Sequence, residues 1–396
     1  MRRFLSKIVC LLTLGVTTVS SPAAAEEPTT LGRVKIPIDL AIDPKSPFVT
    51  IEVDGQDKVS TIDPTLQDHL TTFIAGKHSP IAAVAVIDIK TGDLLALAQG
   101  RDPAKWEGQT HTGLYSGFPA ASLFKTVVTA AAFELADIDA SREFGLTGGC
   151  QHVRATGGWL DDKVQNHRNK MTLRRAYGQS CNGFFAKLAV NHLGLGIITD
   201  YARKFGWETG VPSDINMPAS PFRPPLAHSS SVHAVGKYAA GFGYVGVNTI
   251  QAAWMMAMIA NGGIARPVRV LKDTPIPPDP SLPRALSQET ADRLLEVMDS
   301  TVRGGTASFA FRRGRHRRLR NLVGGKTGTL TGKQPFGLTT WFAGVMPLEN
   351  PEIAVAAVVV LNDDLWFIKG PNLAAEAFLA YYDQKLKKDA AATAKK

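Results

Sequence analysis

The chain has 396 residues, 44% hydrophobic and 20% charged, which is enough apolar material to bury the core of one large domain or two ordinary ones and excludes a largely disordered polymer. The net charge is +9, concentrated in Arg312, Arg313, Arg315, Arg317, Arg318 and Arg320 and in the terminal Lys385, Lys387, Lys388, Lys395 and Lys396. A nucleic-acid-binding role is disfavoured, because no aromatic residues interleave the basic run and the N-terminus carries an export signal.

Arg2, Arg3 and Lys7 precede an apolar run from Ile8 to Val16, and Ala23-Ala24-Ala25 stands before Glu26. This is the pattern of a secretory signal peptide over residues 1–25. The run is shorter than the roughly 20 residues of a membrane span. The expectation is an exported protein of the periplasm or cell wall, soluble after cleavage or anchored if the signal is retained. Residues 26–60 read as a short extension, 61–387 as one domain, and 388–396 as a basic disordered tail. Within the domain, Asp63-Pro64 predicts a helix start, with Leu66, Leu70 and Phe73 at helical spacing. Ile81 to Ile89, the turn Lys90-Thr91-Gly92-Asp93 and Leu94 to Ala98 form a hairpin pattern.

A helical middle follows, with helices expected at 122–134, 172–178, 182–193, 197–205, 248–260 and 289–302. The segment from Asn248 to Ala260 is apolar almost all round, which places it in the interior. Pro-rich stretches at 218–225 and 275–283 read as surface connections. Three strands, 324–331, 338–345 and 353–361, and a helix over 371–386 complete the chain. Strands from both ends with helices between them predict an α+β domain whose sheet packs on helices. The arginine run fits either a contact with anionic wall polymers or phospholipid headgroups, or a solvated loop with no partner. Cys150 and Cys181 are too few for a disulfide framework. Their spacing does not report their separation, and two packed thiols are the plain expectation. No G-x-G-x-x-G or P-loop stands between a strand and a helix, and no H-E-x-x-H or paired Cys/His spacing occurs, so no cofactor and no metal are expected.

The residues that carry chemistry are Ser122 in Ala121-Ser122-Leu123-Phe124-Lys125, then Ser180-Cys181-Asn182, then Lys326-Thr327-Gly328-Thr329. A serine hydroxyl needs a proton acceptor within reach to act as a nucleophile. An S-x-x-K pair at a helix start puts hydroxyl and amine on one face, which makes Lys125 the candidate base. Each motif alone is weak. Their order, with 58 and 146 residues between the motif starts, raises the odds.

With this triplet the chain resembles the penicillin-recognising serine acyltransferases, the family of penicillin-binding proteins and serine β-lactamases. The resemblance extends from about Thr61 to the final helix through Val86–Ala96, Gly241–Gln251, Ile259–Pro267, Gly304-Gly305-Thr306-Ala307 and Trp341–Pro347. It implies a five-stranded antiparallel sheet flanked by helices, an adjoining all-helical lobe, and a site at their junction. It also implies a peptidoglycan D,D-transpeptidase acting on D-Ala-D-Ala stem peptides and inhibited by β-lactams. A D,D-carboxypeptidase and a non-catalytic β-lactam- or stem-peptide-binding sensor are the alternatives. Carried over, Ser122 is the nucleophile, Lys125 the base, and Ser180 with Lys326 the relay to the leaving group. Asn182 binds the acyl amide, Thr327 and Thr329 the terminal carboxylate, and Gly328 lets the substrate backbone lie close. The backbone N–H groups of Ser122 and Thr329 form the oxyanion site. No Glu occurs over 210–228, unlike class A β-lactamases, and Asn182 replaces the hydrophobic residue of class D. With about 35 residues between the signal and Thr61, neither a pedestal nor a glycosyltransferase domain is expected. Ala121 also stands where the family usually has glycine.

Overall fold

A computed structural model of the chain describes residues 48–393 except 54–55, 78, 103–110, 137, 147–148, 152, 154–157, 227–230, 334–335 and 362–367. The expected signal peptide and residues 26–47 of the expected extension lie outside the described residues.

β1 (Thr50–Val53) and β2 (Gln56–Val59) pair antiparallel, a hairpin inside the stretch expected to be a plain extension. The helix start foreseen at Asp63 is present. Its carboxylate accepts from Leu66 N–H at 3.0 Å, and Pro64 sits where a missing N–H costs nothing, opening α1 (Pro64–Ala75). The hairpin of β3 (Ile81–Asp88) and β4 (Leu94–Arg101) turns where Thr91 donates N–H and Oγ1–H to Asp88 Oδ1.

The middle of the chain is mostly helical. It holds α2 (Lys125–Leu135), the short pair β5 (Glu143–Gly145) and β6 (Lys170–Thr172), α3 (Leu173–Gly178), α4 (Asn182–Leu188) and α5 (Leu195–Lys204). β7 (Phe222–Arg223), α6 (Val232–Ala239), β8 (Tyr244–Val245), α7 (Thr249–Ala260), α8 (Gln288–Arg303) and α9 (Ser308–Phe311) follow. The helix expected to reach Leu193 changes to a π-helical turn at Ala189–Leu193. α6 had no counterpart in the sequence expectations; Gly236 in its interior lowers its propensity.

β9 (Gly324–Lys333), β10 (Phe336–Met346) and β11 (Ile353–Leu361) join the first hairpin in one antiparallel sheet of order β4-β3-β11-β10-β9. β3 and β11 read as nearly continuous apolar runs because both faces of the sheet are covered. On one face Phe342 of β10 packs against Phe311 and Phe378, within a core that also holds Leu66 and Leu70 of α1. On the other face lies α7, buried from Thr249 through Ile259 as its all-round apolar sequence requires. β9 is left at the sheet edge, facing the helical lobe.

The last helix, α10 (Gly370–Thr393), runs into the stretch expected to be a disordered tail, of which residues 394–396 lie outside the described residues. Gln384 donates to Asp63 Oδ2 at 2.7 Å, Lys385 pairs with Glu352, and the Ala-rich end has high helix propensity. The arginine run is partly structural. Gly314–Leu319 forms a 3-10 turn, Arg318 pairs with Asp383, and Arg320 donates to Arg303 O, while Arg312, Arg313 and Arg317 stay exposed.

Glu376 fastens this turn to the core. It is 3% exposed and accepts from His69 Nε2 at 2.9 Å, His316 Nε2 at 3.0 Å and Arg315 Nη2 at 3.4 Å. Burial opposes its charge, but the hydrogen bonds of His316 and His69 and the charges of His316 and Arg315 outweigh burial and hold the carboxyl down at about 2. A depressed carboxyl stabilises the fold fully above its ordinary value of 4.5 and loses that contribution as pH falls through 2. Glu376→Gln is therefore expected to cost about 2 kcal/mol at neutral pH, a difference that shrinks from pH 4.5 towards 2. Urea denaturation of both proteins across that range measures it.

Candidate active site

Ser122 lies in a 3-10 turn, Ala121–Phe124, and Lys125 is the first residue of α2. The helix expected from Ser122 therefore begins three residues later, yet the predicted pair still meets, with Lys125 Nζ 2.8 Å from Ser122 Oγ. The turn enters through a strained residue. Ala121 has φ +47°, in the left-handed region that costs an L-residue roughly 1–2 kcal/mol, at the position where the family resemblance calls for glycine.

Three neighbours hold this turn. Ala120 N–H donates to Val245 O of β8 at 2.8 Å, and Trp341 Nε1–H donates to Pro119 O at 3.0 Å. The backbone at Gly241 (φ +92°) is so close that a Cβ there would stand 2.1 Å from Ala121 O. Gly328 has a similar role from the strand side, since its Cβ would lie 3.1 Å from Ala120 O and 3.2 Å from Trp341 Cβ. Its first constraint is thus packing of β9 against the nucleophile turn, which adds to the reason expected from substrate approach.

The second motif sits between α3 and α4. Ser180 has φ +55°, and this bend directs both its carbonyl and its hydroxyl to Lys125, at 2.9 Å and 3.2 Å from Nζ. Asn182 Oδ1 accepts from the same amine at 2.5 Å, and Asn182 Nδ2 donates to Gln151 O at 2.9 Å. Cys181 and Cys150 form a disulfide with Cα atoms 4.5 Å apart, which corrects the expectation of two packed thiols. The bond fastens Gln151 beside Asn182, and Gly183 N–H at the start of α4 donates to Cys150 O at 3.2 Å.

Lys125 is wholly buried. Burial first, and the charge of Lys326 second, push its amine well below the usual lysine range. Lys326 is also wholly buried. It stands 5.5 Å from the centre of the Tyr177 ring and donates to Thr327 O at 3.1 Å, and burial lowers it to about 7. The Ser180 hydroxyl, expected with Lys326 to relay a proton to the leaving group, stands 3.2 Å from Lys125 Nζ.

Ser122, Ser180, Asn182, Thr327 and Thr329 line one cleft of about 310 Å³ between the helical lobe and the edge strand. Lys125 and Lys326 lie behind its wall. Gln151, Gly241, Thr306 and Lys369 also border it and were not foreseen as site residues. Gly241 and Thr306 fall in stretches that carried the family resemblance. Thr306 shares a hydrogen bond with Thr327 through their hydroxyls. For Gln151 and Lys369 the sequence held no signal.

An α+β domain with a buried lysine amine against a serine hydroxyl, at the border of an antiparallel sheet and a helical lobe, defines a class of serine acyltransferase-like folds. The model of the penicillin binding protein transpeptidase domain matches residues 82–379, and the chain belongs to that family. It is 26% identical over 338 residues to penicillin-binding protein PbpB of Mycolicibacterium smegmatis, covering 78% of this chain and 51% of that protein. It is 27% identical over 283 residues to peptidoglycan D,D-transpeptidase PbpA of Mycobacterium tuberculosis, covering 67% and 54%. The chain thus spans about half the length of the curated relatives it matches. Among solved structures, the D,D-transpeptidase domain of a peptidoglycan glycosyltransferase from Eggerthella lenta superposes with a TM-score of 0.66 at 22% identity, covering 84% of each chain. Penicillin binding protein 3 of Mycobacterium tuberculosis, complexed with aztreonam, superposes at 0.65 and 20% identity, covering 85% of this chain and 82% of that one. These likenesses bear out the expected fold: five antiparallel strands flanked by helices.

The disulfide closes a separation of 31 residues, for which chain entropy gives about 3.7 kcal/mol. Cys150→Ser is expected to lower the melting temperature by several degrees, because the unfolded chain between residues 150 and 181 regains its freedom. Thermal melts of the two proteins under non-reducing conditions check it.

Proposed function

We propose that this chain is an exported peptidoglycan D,D-transpeptidase of the periplasm or cell wall that forms an acyl-enzyme on Ser122 and is acylated there by β-lactams. The observation that carries this reading is the set of groups around Lys125. Ser180 O and Asn182 Oδ1 can only accept, so a neutral amine gives its two protons to them. Its lone pair is left for the hydroxyl side, where Ser122 Oγ stands at 2.8 Å. Burial and the charge of Lys326 both favour the neutral amine, which is the form that can act as the base.

In the proposed reaction Ser122 Oγ bonds to the carbonyl carbon of the penultimate D-alanine while its proton passes to Lys125 Nζ. The negative oxygen of the tetrahedral intermediate is met by the N–H groups of Ser122, at the open start of its turn, and of Thr329. Loss of one such donor costs about 3 kcal/mol of transition-state stabilisation. Collapse breaks the peptide bond, and the proton goes from Lys125 through the Ser180 hydroxyl to the departing D-alanine amine. An acceptor amine then attacks the Ser122 ester, gives up its proton along the same path, and restores the serine. Asn182 Nδ2, Thr327 and Thr329 orient the donor, and Lys326 adds positive charge near its carboxylate. A β-lactam follows the first half of this path and keeps its leaving group tethered. The family match and the relatives named as D,D-transpeptidases support this reading.

A fluorescent penicillin is expected to label the protein covalently and to leave Ser122→Ala unlabelled. A label persisting in that variant overturns the assignment. Stem-peptide donor with an amine acceptor is expected to give cross-linked product, whereas hydrolysis alone would indicate a D,D-carboxypeptidase. The acylation rate is expected to rise with pH as Lys125 loses its proton. Lys326→Gln removes the neighbouring charge that helps hold Lys125 down, so the rate should fall by about 10²-fold, as for loss of a proton-handling group, and the rising limb should move to higher pH. An unmoved limb counts against this coupling; stopped-flow labelling from pH 5 to 10 reads it.

A further inference from the structure

The arginine run is the most strongly charged part of the chain, and the reaction proposed above makes no use of it. Arg312, Arg313, Arg315, Arg317, Arg318 and Arg320 follow one another with no Asp or Glu between them. Like charges this close repel, yet they are gathered on a fixed turn. In a 3-10 turn residues three apart stand one above the other, and over Gly314–Leu319 this stacks Arg315 and Arg318 on the side of α10. Glu376 and Asp383, seven positions apart and so on one face of α10, receive them. The Arg318 guanidinium also lies 5.5 Å from the centre of the Tyr382 ring, and Leu319 is sealed into the core.

This anchoring leaves a surplus of positive charge. Glu376 already answers to His69 and His316 as well as to Arg315. Arg312, Arg313 and Arg317 are exposed and have no acid partner among the described residues. Arg315, Arg317 and Arg318 border, with Gly314, a hollow of about 530 Å³ that no carboxylate lines. Lys387 extends the cationic surface: it stands one turn beyond Asp383 on the same face of α10, exposed and again without an acid partner among the described residues. Beside it Leu386 is 45% exposed. Planar guanidinium groups match the oxygens of a phosphate better than an ammonium does, and a cluster of four to eight basic residues is a pattern by which proteins hold to anionic lipid headgroups. Leu386 favours a bilayer over a dissolved polyanion, because only the bilayer offers a boundary at which an apolar side chain leaves water.

We propose that the arginine turn, with Leu386 and Lys387, is a membrane-docking face that takes the phosphate groups of anionic phospholipids, the hollow between Arg315, Arg317 and Arg318 receiving one headgroup phosphate. Phe309, which borders the cleft of Ser122, lies three residues before Arg312, so docking holds that cleft close to the bilayer surface.

The test is sedimentation of the full chain with phosphatidylcholine vesicles that contain either no phosphatidylglycerol or one-third of it. The anionic vesicles are expected to bind about 100-fold more tightly at low salt, and the preference to fall steeply as added salt screens the charges. Arg312→Gln, Arg313→Gln and Arg317→Gln together break no ion pair among the described residues, so this variant should keep the parent's melting temperature. It should lose most of the preference, at roughly fivefold for each charge removed. Lysine at the same three positions is expected to keep the preference, which separates loss of charge from damage to the fold. Equal binding to both vesicles overturns the proposal. So does a preference that survives the glutamine substitutions, which would place it at Arg2, Arg3 and Lys7 instead, or one that the lysine variant fails to keep. Tighter binding per phosphate to soluble linear polyphosphate than to the anionic vesicles also overturns it, and assigns the face to a dissolved polyanion. None of these readouts involves Ser122, so this proposal and the transpeptidase reading stand or fall separately.

Discussion

An amine placed where water cannot reach must give up its proton or be surrounded by acceptors, and the helical lobe is organised around that demand at Lys125. The amine is met by the Ser180 carbonyl and hydroxyl, the Asn182 side chain and the Ser122 hydroxyl. Those groups come from two separate helix entries, so neither helix can shift without leaving a polar atom unsatisfied. The left-handed bend at Ser180 and the disulfide behind Cys181 keep the second entry in place. Lys326 adds a second amine of the same kind, lowered by burial to about 7. Because the unfolded chain binds that proton more readily, burial of Lys326 weakens the fold increasingly as pH falls from the ordinary lysine value to about 7, and not above that ordinary value. Reactivity at the site is thus set against stability.

The nucleophile turn shows the same balance at the backbone. A left-handed Ala121 is unfavourable by roughly 1–2 kcal/mol and persists because hydrogen bonds from β8 and Trp341 and the close backbone at Gly241 fix both sides of it. The resulting 3-10 turn, in place of a first α-helical turn, holds the Ser122 hydroxyl against the lysine and leaves the Ser122 N–H at an open helix start.

Much of the fold was legible because its signals are local. Asp63-Pro64, the Lys90–Asp93 turn and the three C-terminal strands announce themselves through caps, turn residues and apolar runs, and the triplet of short motifs marked the residues that meet at the cleft. What stayed hidden depends on contacts distant in sequence. Nothing near Cys150 reports that it reaches Cys181, and nothing near Lys369 reports that it borders a cleft formed by Ser122. The arginine run reads as one charged stretch, whereas Arg315 and Arg318 are committed to acids on a helix about 60 residues away. The start of α2, expected at Ser122, falls at Lys125 because the left-handed bend that tertiary packing imposes at Ala121 leads into a 3-10 turn.

β9 is an edge strand with an open side, and an open side suited to a peptide is equally suited to another copy of the same strand. The outward residues temper that hazard. Thr329, Thr331 and Lys333 are exposed, while the stretch nearer the core is covered by the nucleophile turn packed against Gly328. Among the described residues only a short, polar part of this edge is left unpaired, ending in a charge that would face its own image if two molecules paired in parallel register. The protein thus leaves part of a strand edge open without offering a long apolar seam along which its own copies would stack.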